Sequence, residues 1–434
     1  MNKAKFITLD NGLTILIYTD SSKSTNHVEL YTFFGGNNGE YVDYNGNTRS
    51  IKPGTAHLLE HYICENTVEG NLLDNLRKYN ILSCNGGSNN ENNSYFFNTV
   101  TNFYECLETF LKGIYNISFT KEKLDKTKMW YVISALEGAG LYVGFKENEN
   151  KERNINMNRL NKNNEKNKII EKKINGLFTI NRKTLGSSGS VKSITIKEIK
   201  DVYDNIYIPR NQFLVLAGNF DYDKTLSLVK NIYKEISFKN DKKLSKVSDV
   251  KDVIKKRTIY KSDYIDEVIL TFKIDVSSLS CFDKYKLDWY LSFFLDINFS
   301  KYSKINEYIN SCSDYVDDIS AYLYYFNGYF VIDVIAFTKK VNEFENLVLS
   351  SIKNRDSNER EVFELVKKDA ITRISVRKDS ISNYVAPTEE NYIRFGYLDD
   401  DDIDVIDKFN YSEYDKIISN IDFTNYSVFY RKKK

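Results

Sequence analysis

The chain has 434 residues, 41% of them hydrophobic, with 61 Lys and Arg against 60 Asp and Glu for a formal net charge of +1. So even a balance gives no electrostatic case for a nucleic-acid or anionic-membrane partner, while the apolar content is enough for a sizeable core. No run of 18 apolar residues occurs and the first ten residues lack an apolar segment, so a soluble, cytoplasmic protein without a membrane span is expected. The length suggests two or more domains, most simply two of about 200 residues each. Cys64, Cys84, Cys106, Cys281 and Cys312 are widely spaced and form no CxxC pair, which argues against a disulfide framework or a thiolate zinc site.

Residues 5–18 predict a hairpin, with Phe6–Leu9, a turn at Asp10-Asn11-Gly12, and Leu13–Tyr18. Val28–Phe34 is a further strand, stopped by Gly35-Gly36, and 37–53 is a polar loop. His27, at the start of that strand, is assigned a structural role. A helix is then expected from near Thr55, with Thr55 as its N-cap. It carries Gly54-Thr-Ala-His-Leu-Leu-Glu-His61, which holds two of the three histidines of the chain. At 100° per residue His57 and His61 share a face, Glu60 flanks them, and Leu58 and Leu59 point towards a core.

Two imidazoles one turn apart can bind one tetrahedral zinc ion, and a carboxylate beside them can take a proton from water. The order H-x-x-E-H is that of the inverted zinc peptidases. The alternative is a pair of histidines satisfied inside a helix. Cys64, three residues on, is either a further ligand or a buried thiol, the latter being the commoner fate of such a residue.

Asn71–Tyr79 is expected to be helical, and Cys84–Asn90 by itself suggests a turn or a weak, bulged strand. Ser94–Val100 is a strand; Asn102–Ile117 and Lys121–Leu136 are helices. Residues 146–175 are rich in Asn, Lys and Glu, expected as a solvated helix or exposed insertion. A helix follows a capping-box pattern at Thr195-x-x-Glu198, then a strand at Phe213–Asp221 and a helix at Lys224–Ile236.

The charged stretch 238–256 is assigned as a linker between an N-terminal domain, 1–237, and a C-terminal domain, 257–434. The second domain repeats the first: a strand at Glu267–Ile274, a helix at Asp283–Leu295, a hairpin about Asn327-Gly328, and helices near 340–353 and 358–378. Its counterpart of the histidine helix reads Lys286-Leu-Asp-Trp-Tyr290 and has no ligand set.

At this point the chain resembles the M16 (pitrilysin-like) metallopeptidase family. Asn11-Gly12 looks like the family's N-G-L start, and Gly36 with Glu40 like its G-x-x-x-E strand end. Gly54–His61 is similar to its G-x-A-H-x-x-E-H helix. Asn85-Gly-Gly-Ser88, with Tyr95, stands where the family has N-A-x-T and an aromatic strand, and Tyr207-x-Pro209-x-Asn211 resembles its Y-x-P-x-N segment. The resemblance covers most of 5–235 and only the topology beyond.

It implies an α+β fold of two homologous α/β-sandwich domains, each a mixed, largely antiparallel sheet with helices on one face. It also implies a zinc endopeptidase acting on unfolded peptides or leader segments. His57, His61 and Glu137 would be the ligands and Glu60 the base. Spacing alone leaves Glu65, Glu69, Glu91, Glu105 and Glu108 competing for the third position, and the resemblance selects Glu137. The substrate would add as a strand along Cys84, Asn85, Gly86, Gly87 and Ser88, with Tyr322 and Tyr324 as further contacts.

Two departures stand out. Trp130 occupies the position seven residues before the third ligand where family members often carry a second glutamate. No Arg is visible near the second hairpin, where members often supply Arg and Tyr. This split is similar to the zinc-bearing subunit of bacterial two-subunit processing peptidases, which implies a heterodimer with a related chain. A homodimer and a non-catalytic structural subunit are the alternatives.

Overall fold

The computed structural model describes residues 4–138, 178–180, 185–244, 250–252, 256–262, 266–301, 303–312, 314–315, 319–326, 328–355, 358–377, 380–397 and 402–434. The 146–175 segment lies outside them. The chain divides into two compact units. One is built on the N-terminal sheet, continuing through Asn181–Asp249 and taking in Ser380–Ala386; the other is built on Val250–Asp379 and Pro387–Lys434.

In the first unit, β1 (Lys5–Thr8) and β2 (Thr14–Thr19) form the expected hairpin, and β3 (Asn26–Thr32) follows. Between residues 37 and 53 the chain is not all loop. β4 (Glu40–Val42) and β5 (Thr48–Ser50) pair as a short ribbon around Asp43, whose carboxylate accepts from the Asn47 amide at 2.8 Å and from Arg49 Nε at 2.9 Å. Helix α1 (Thr55–Glu65) carries the histidines; α2 (Leu72–Arg77) follows, capped by Asn71. Then come β6 (Ser83–Ser88), β7 (Asn93–Thr99), α3 (Phe103–Tyr115) and α4 (Lys121–Gly138). β8 (Phe178–Ile180) belongs to a small ribbon of the second unit, and β9 (Gln212–Gly218) returns to the first sheet.

The first sheet has the order β1-β2-β9-β3-β7-β6. Only the β2–β9 pairing is parallel. Alternation decides its faces: Ile15, Ile17, Val28, Leu30, Tyr95, Phe97, Leu214 and Leu216 are buried against Leu58, Leu59, Phe110 and Ile199 of the helices. The helix Ile196–Ile206 starts with the expected capping box, in which Glu198 N donates to Thr195 Oγ1 at 3.2 Å and Thr195 N to Glu198 Oε2 at 2.7 Å.

In the second unit β10 (Val250–Asp252) pairs with β8. β11 (Arg257–Ser262), β12 (Glu267–Asp275), β13 (Ser320–Phe326), β14 (Tyr329–Ala336) and β15 (Tyr426–Lys433) form a sheet of order β11-β15-β12-β14-β13. Here only β11–β15 is parallel. This is the plan β2-β9-β3-β7-β6 over again, with the same sense at every pairing, so the internal repeat extends to the hydrogen-bond pattern. Its core gathers Phe272, Tyr285, Phe294, Phe330, Phe344 and Phe363 between sheet and helices.

The fold is therefore α+β: two repeated units, each a largely antiparallel sheet with helices packed on one face, as expected from the sequence. Beyond residue 378, where the sequence pattern predicts no element, lie the helices Ile381–Phe395 and Tyr411–Ser419 and strand β15.

Candidate metal and peptide site

Helix α1 enters through Gly54, whose φ of +90° favours glycine. A Cβ there would come within 2.8 Å of Val191 Cγ2 and 2.9 Å of the Leu185 carbonyl. The cap is thus Gly54 rather than Thr55. Thr55 is the first helical residue, and its hydroxyl donates to the Lys52 carbonyl at 2.7 Å. Leu58 and Leu59 are fully buried, which turns His57, Glu60 and His61 to the other side.

On that side His57 Nε2 and His61 Nε2 stand 3.0 Å apart and their rings stack at 4.9 Å. Glu60 Oε2 is 3.9 Å from His61 Nε2, and the donor atoms of the three residues all lie within 4.8 Å of one another. Burial, with His61 alongside, pushes His57 down to about 4, and burial lowers His61 as well. Burial pushes Glu60 up to about 7.

Two nitrogens each about 2.0–2.1 Å from a tetrahedral zinc stand about 3.3 Å apart. The observed separation and the neutral state favoured at both rings fit such an ion.

Among the described residues no other carboxylate joins these three. Glu65 is turned away, accepting from Thr127 Oγ1 of α4 at 2.9 Å. Glu69, Glu105 and Glu108 line a separate cleft of about 370 Å³ between α2 and α3. Glu137 falls on α4, which is tied to α1 through Thr127 and Asn66 (Asn66 Nδ2 to Thr127 Oγ1, 3.0 Å). The side chains of Glu137 and Trp130 lie outside the described part of the structure.

Residues 83–88, where the sequence from Cys84 on suggested a turn or a weak, bulged strand, are a strand, because β7 supplies a full antiparallel register. β6 is an edge strand: Cys84, Gly86 and Ser88 turn inwards and Asn85 and Gly87 are exposed. Gly86 faces Glu60. A Cβ on it would touch Glu60 Oε1 and lie 2.9 Å from Cys64 Sγ. Cys64 is a buried thiol, its Sγ 3.9 Å from Glu60 Oε1.

His27 bonds Asn98 Oδ1 through Nδ1 at 2.9 Å, within the first sheet. Tyr322 and Tyr324 lie on β13, the edge strand equivalent to β6 in the second unit. Tyr322 is exposed, while burial and then Asp333 raise Tyr324 well above the usual phenol range. On the helix Cys281–Phe299 that follows β12, Asp288 forms a two-pronged pair with Arg394 at 2.9 and 3.1 Å. An ion pair thus stands on the helix whose counterpart carries the histidines.

Sequence reasoning missed Asn93. It is fully buried at the start of β7, and its Nδ2 donates to the Ala56 carbonyl of α1 at 2.9 Å and to Tyr207 Oη at 2.8 Å. The available signal was an Asn at an inward position of a strand, where an unpaired amide would be costly.

Residues 193–368 match the family model described as the peptidase M16 inactive domain. The match does not include His57, Glu60 or His61. No curated protein matches the chain. An M16-like peptidase from Alicyclobacillus acidocaldarius superposes with a TM-score of 0.81 at 16% identity, covering 100% of this chain and 99% of that one. A protease from Helicobacter pylori gives 0.74 at 16% identity, covering 100% of both chains. Pitrilysin gives 0.70 at 13% identity, with 99% of this chain covering 45% of that longer one. Residues 193–368 thus match an M16 domain model, and the chain as a whole has the fold of M16-like peptidases.

Proposed function

We propose that the chain is a zinc-dependent endopeptidase that cuts extended peptides, such as unfolded segments or leaders. The observation that carries this reading is the convergence of two imidazole nitrogens and Glu60 beside an open edge strand. His57 and His61 would hold zinc, with Glu137 as third ligand. Bound there, zinc supplies Lewis acidity to the scissile carbonyl and makes water a stronger acid. Glu60 takes the proton of the attacking water and passes it to the leaving amine. The peptide adds to β6 through main-chain hydrogen bonds, along Cys84, Asn85, Gly86, Gly87 and Ser88. Gly86 leaves room for the Glu60 carboxylate. Tyr322, and less directly Tyr324, supply further contacts.

In this reading residues 1–237 are the catalytic domain, 238–256 the linker and 257–434 the metal-free repeat. The working enzyme pairs this chain with a related M16 subunit that brings an Arg, or with a second copy of itself. A cytoplasmic location belongs to the same reading, supported by five cysteines that are all free thiols.

A non-catalytic partner subunit is the second reading. It is favoured by the match to an inactive-type domain over 193–368.

The test is turnover of a mixed library of unstructured peptides of about 15–30 residues, with and without chelator, by the zinc-loaded chain alone and with a related M16 chain added. Chelator-sensitive cleavage abolished by Glu60→Gln is the expected result. Cleavage unchanged in Glu60→Gln, or none in either arrangement, would sink the catalytic reading. Light scattering of the pure chain separates homodimer from monomer.

A further inference from the structure

We propose that Asn93 is a positioning residue for the histidine helix, locking its first turn to the sheet, with Ser88 holding Asn93 in place from the substrate strand. This rests on the zinc reading only for its metal-binding consequence. The placement of the helix stands on the contacts themselves.

Asn93 opens β7, and its exposed area is zero. Both amide hydrogens are used: one goes to the carbonyl of Ala56, the residue immediately before His57, and the other to the Tyr207 hydroxyl. That hydroxyl in turn lies 2.9 Å from Tyr95 Oη, two residues further along β7. Tyr95 and Tyr207 are themselves buried, so the polar chain has no solvent to fall back on. Carbonyls in the first turn of a helix normally bond only along the helix, so this lateral bond fixes where the turn sits. α1 enters through Gly54 with no side-chain cap, which leaves the Asn93 bond as a lateral tether at its start.

Ser88 stands directly opposite Asn93 in the β6–β7 register. Among the described residues, Ser88 Oγ and Asn93 Oδ1 are both buried atoms with no hydrogen-bond partner. Cross-strand partners hold their Cβ atoms about 4.5–5.5 Å apart, close enough for one bridging water to join the hydroxyl to the amide oxygen. The Ser88 link keeps Asn93 turned so that its donors, not its acceptor, face Ala56. A continuous polar path thus runs from the strand where peptide adds to the residue before His57.

The test compares Asn93→Thr, which keeps a hydroxyl donor, with Asn93→Val, which has the same shape and none. Val229→Ala, a buried change on Tyr222–Glu235 of the same unit, is the stability control. Two readouts apply: amide hydrogen exchange over residues 55–61 in the metal-free chain, and cobalt(II) affinity with its visible spectrum.

Asn93→Val should raise exchange over 55–61, weaken cobalt binding about tenfold and alter the spectrum. Asn93→Thr should recover most of both, and Val229→Ala should change neither despite a lower Tm. Ser88→Ala should give the Asn93→Val signature at smaller amplitude; no change there overturns the part assigned to Ser88. Parent-like exchange and cobalt binding in Asn93→Val overturn the proposal. A parent chain that takes up no cobalt defeats the zinc reading instead, and the exchange readout still decides the role of Asn93.

Discussion

Gly86 and Glu60 are in contact across the interface between the edge strand and the histidine helix. A Cβ on Gly86 would lie 3.3 Å from the Glu60 carboxyl carbon and closer still to its oxygen. Any side chain at position 86 would therefore collide with the carboxylate. Gly86→Ala should displace Glu60 and lower kcat/KM at least tenfold. Overpacking of this kind costs about 1–3 kcal/mol of stability. Gly87→Ala, where the nearest atom is Ser94 Oγ at 3.9 Å, should leave stability near the parent value. Peptide cleavage and urea denaturation on the two variants check this.

Glu60→Gln should lower kcat by about 10²–10⁴-fold, the usual range for removing a general base. It should also change the pH dependence of stability in the metal-free chain. Burial raises Glu60 from 4.5 to about 7, so folding favours the protonated carboxyl. The stability this contributes is fully present below the unfolded value and is lost as pH rises through the folded one. The variant does not suffer that loss. Its stability relative to the parent should therefore grow by roughly 3 kcal/mol between pH 4 and pH 8. The parent's own curve is flatter, because His57, lowered to about 4, gains stability with rising pH over much of the same interval. Urea titrations at several pH values measure the difference; a pH-independent difference would contradict the environment described for Glu60.

Zinc should raise the Tm of the parent chain. At a free concentration one hundred times Kd the stabilisation is about 2.7 kcal/mol. His57→Ala and His61→Ala should each abolish the zinc-dependent part of Tm, whereas His27→Ala should retain it, because His27 is bonded to Asn98 in the sheet. Differential scanning fluorimetry with and without zinc is sufficient.

Asp288→Ala should act on stability alone. It leaves Arg394 with only the longer 3.8 Å pairing to Glu390 and should cost on the order of 1–3 kcal/mol, less than for a fully buried pair because both side chains keep some exposure. Zinc affinity should be unchanged, since the helix bearing Asp288 belongs to the second unit. Isothermal titration of zinc alongside urea denaturation separates the two effects.

Much of the fold was legible because sheet strands and amphipathic helices alternate at their own periods. Leu58 and Leu59 announced the buried side of α1, and with it the side shared by His57, Glu60 and His61. The repeat was also readable in outline, since β12 follows the pattern of β3.

What escaped depended on partners distant in sequence. Residues 83–88 carry two glycines and an Asn, so their strand character comes from β7 rather than from their own propensity. The ribbon at 40–50 is set by one carboxylate gathering Asn47 and Arg49. Gly54 took the cap expected of Thr55 because the Leu185 carbonyl and Val191 crowd the turn. Asn93 was invisible because its worth lies in Ala56 and Tyr207.

β9 fixes the order in which the first sheet can be completed. β2 and β3 are near neighbours in sequence but do not pair with each other; β9, with every residue buried, lies between them. Without residues 212–218 the β1–β2 hairpin and the three strands β3-β7-β6 are two separate pieces of sheet. The histidine helix rests on β6 and β7, in the second of these pieces. Joining the two pieces is a late, long-range strand insertion, slowed by its loop-closure entropy.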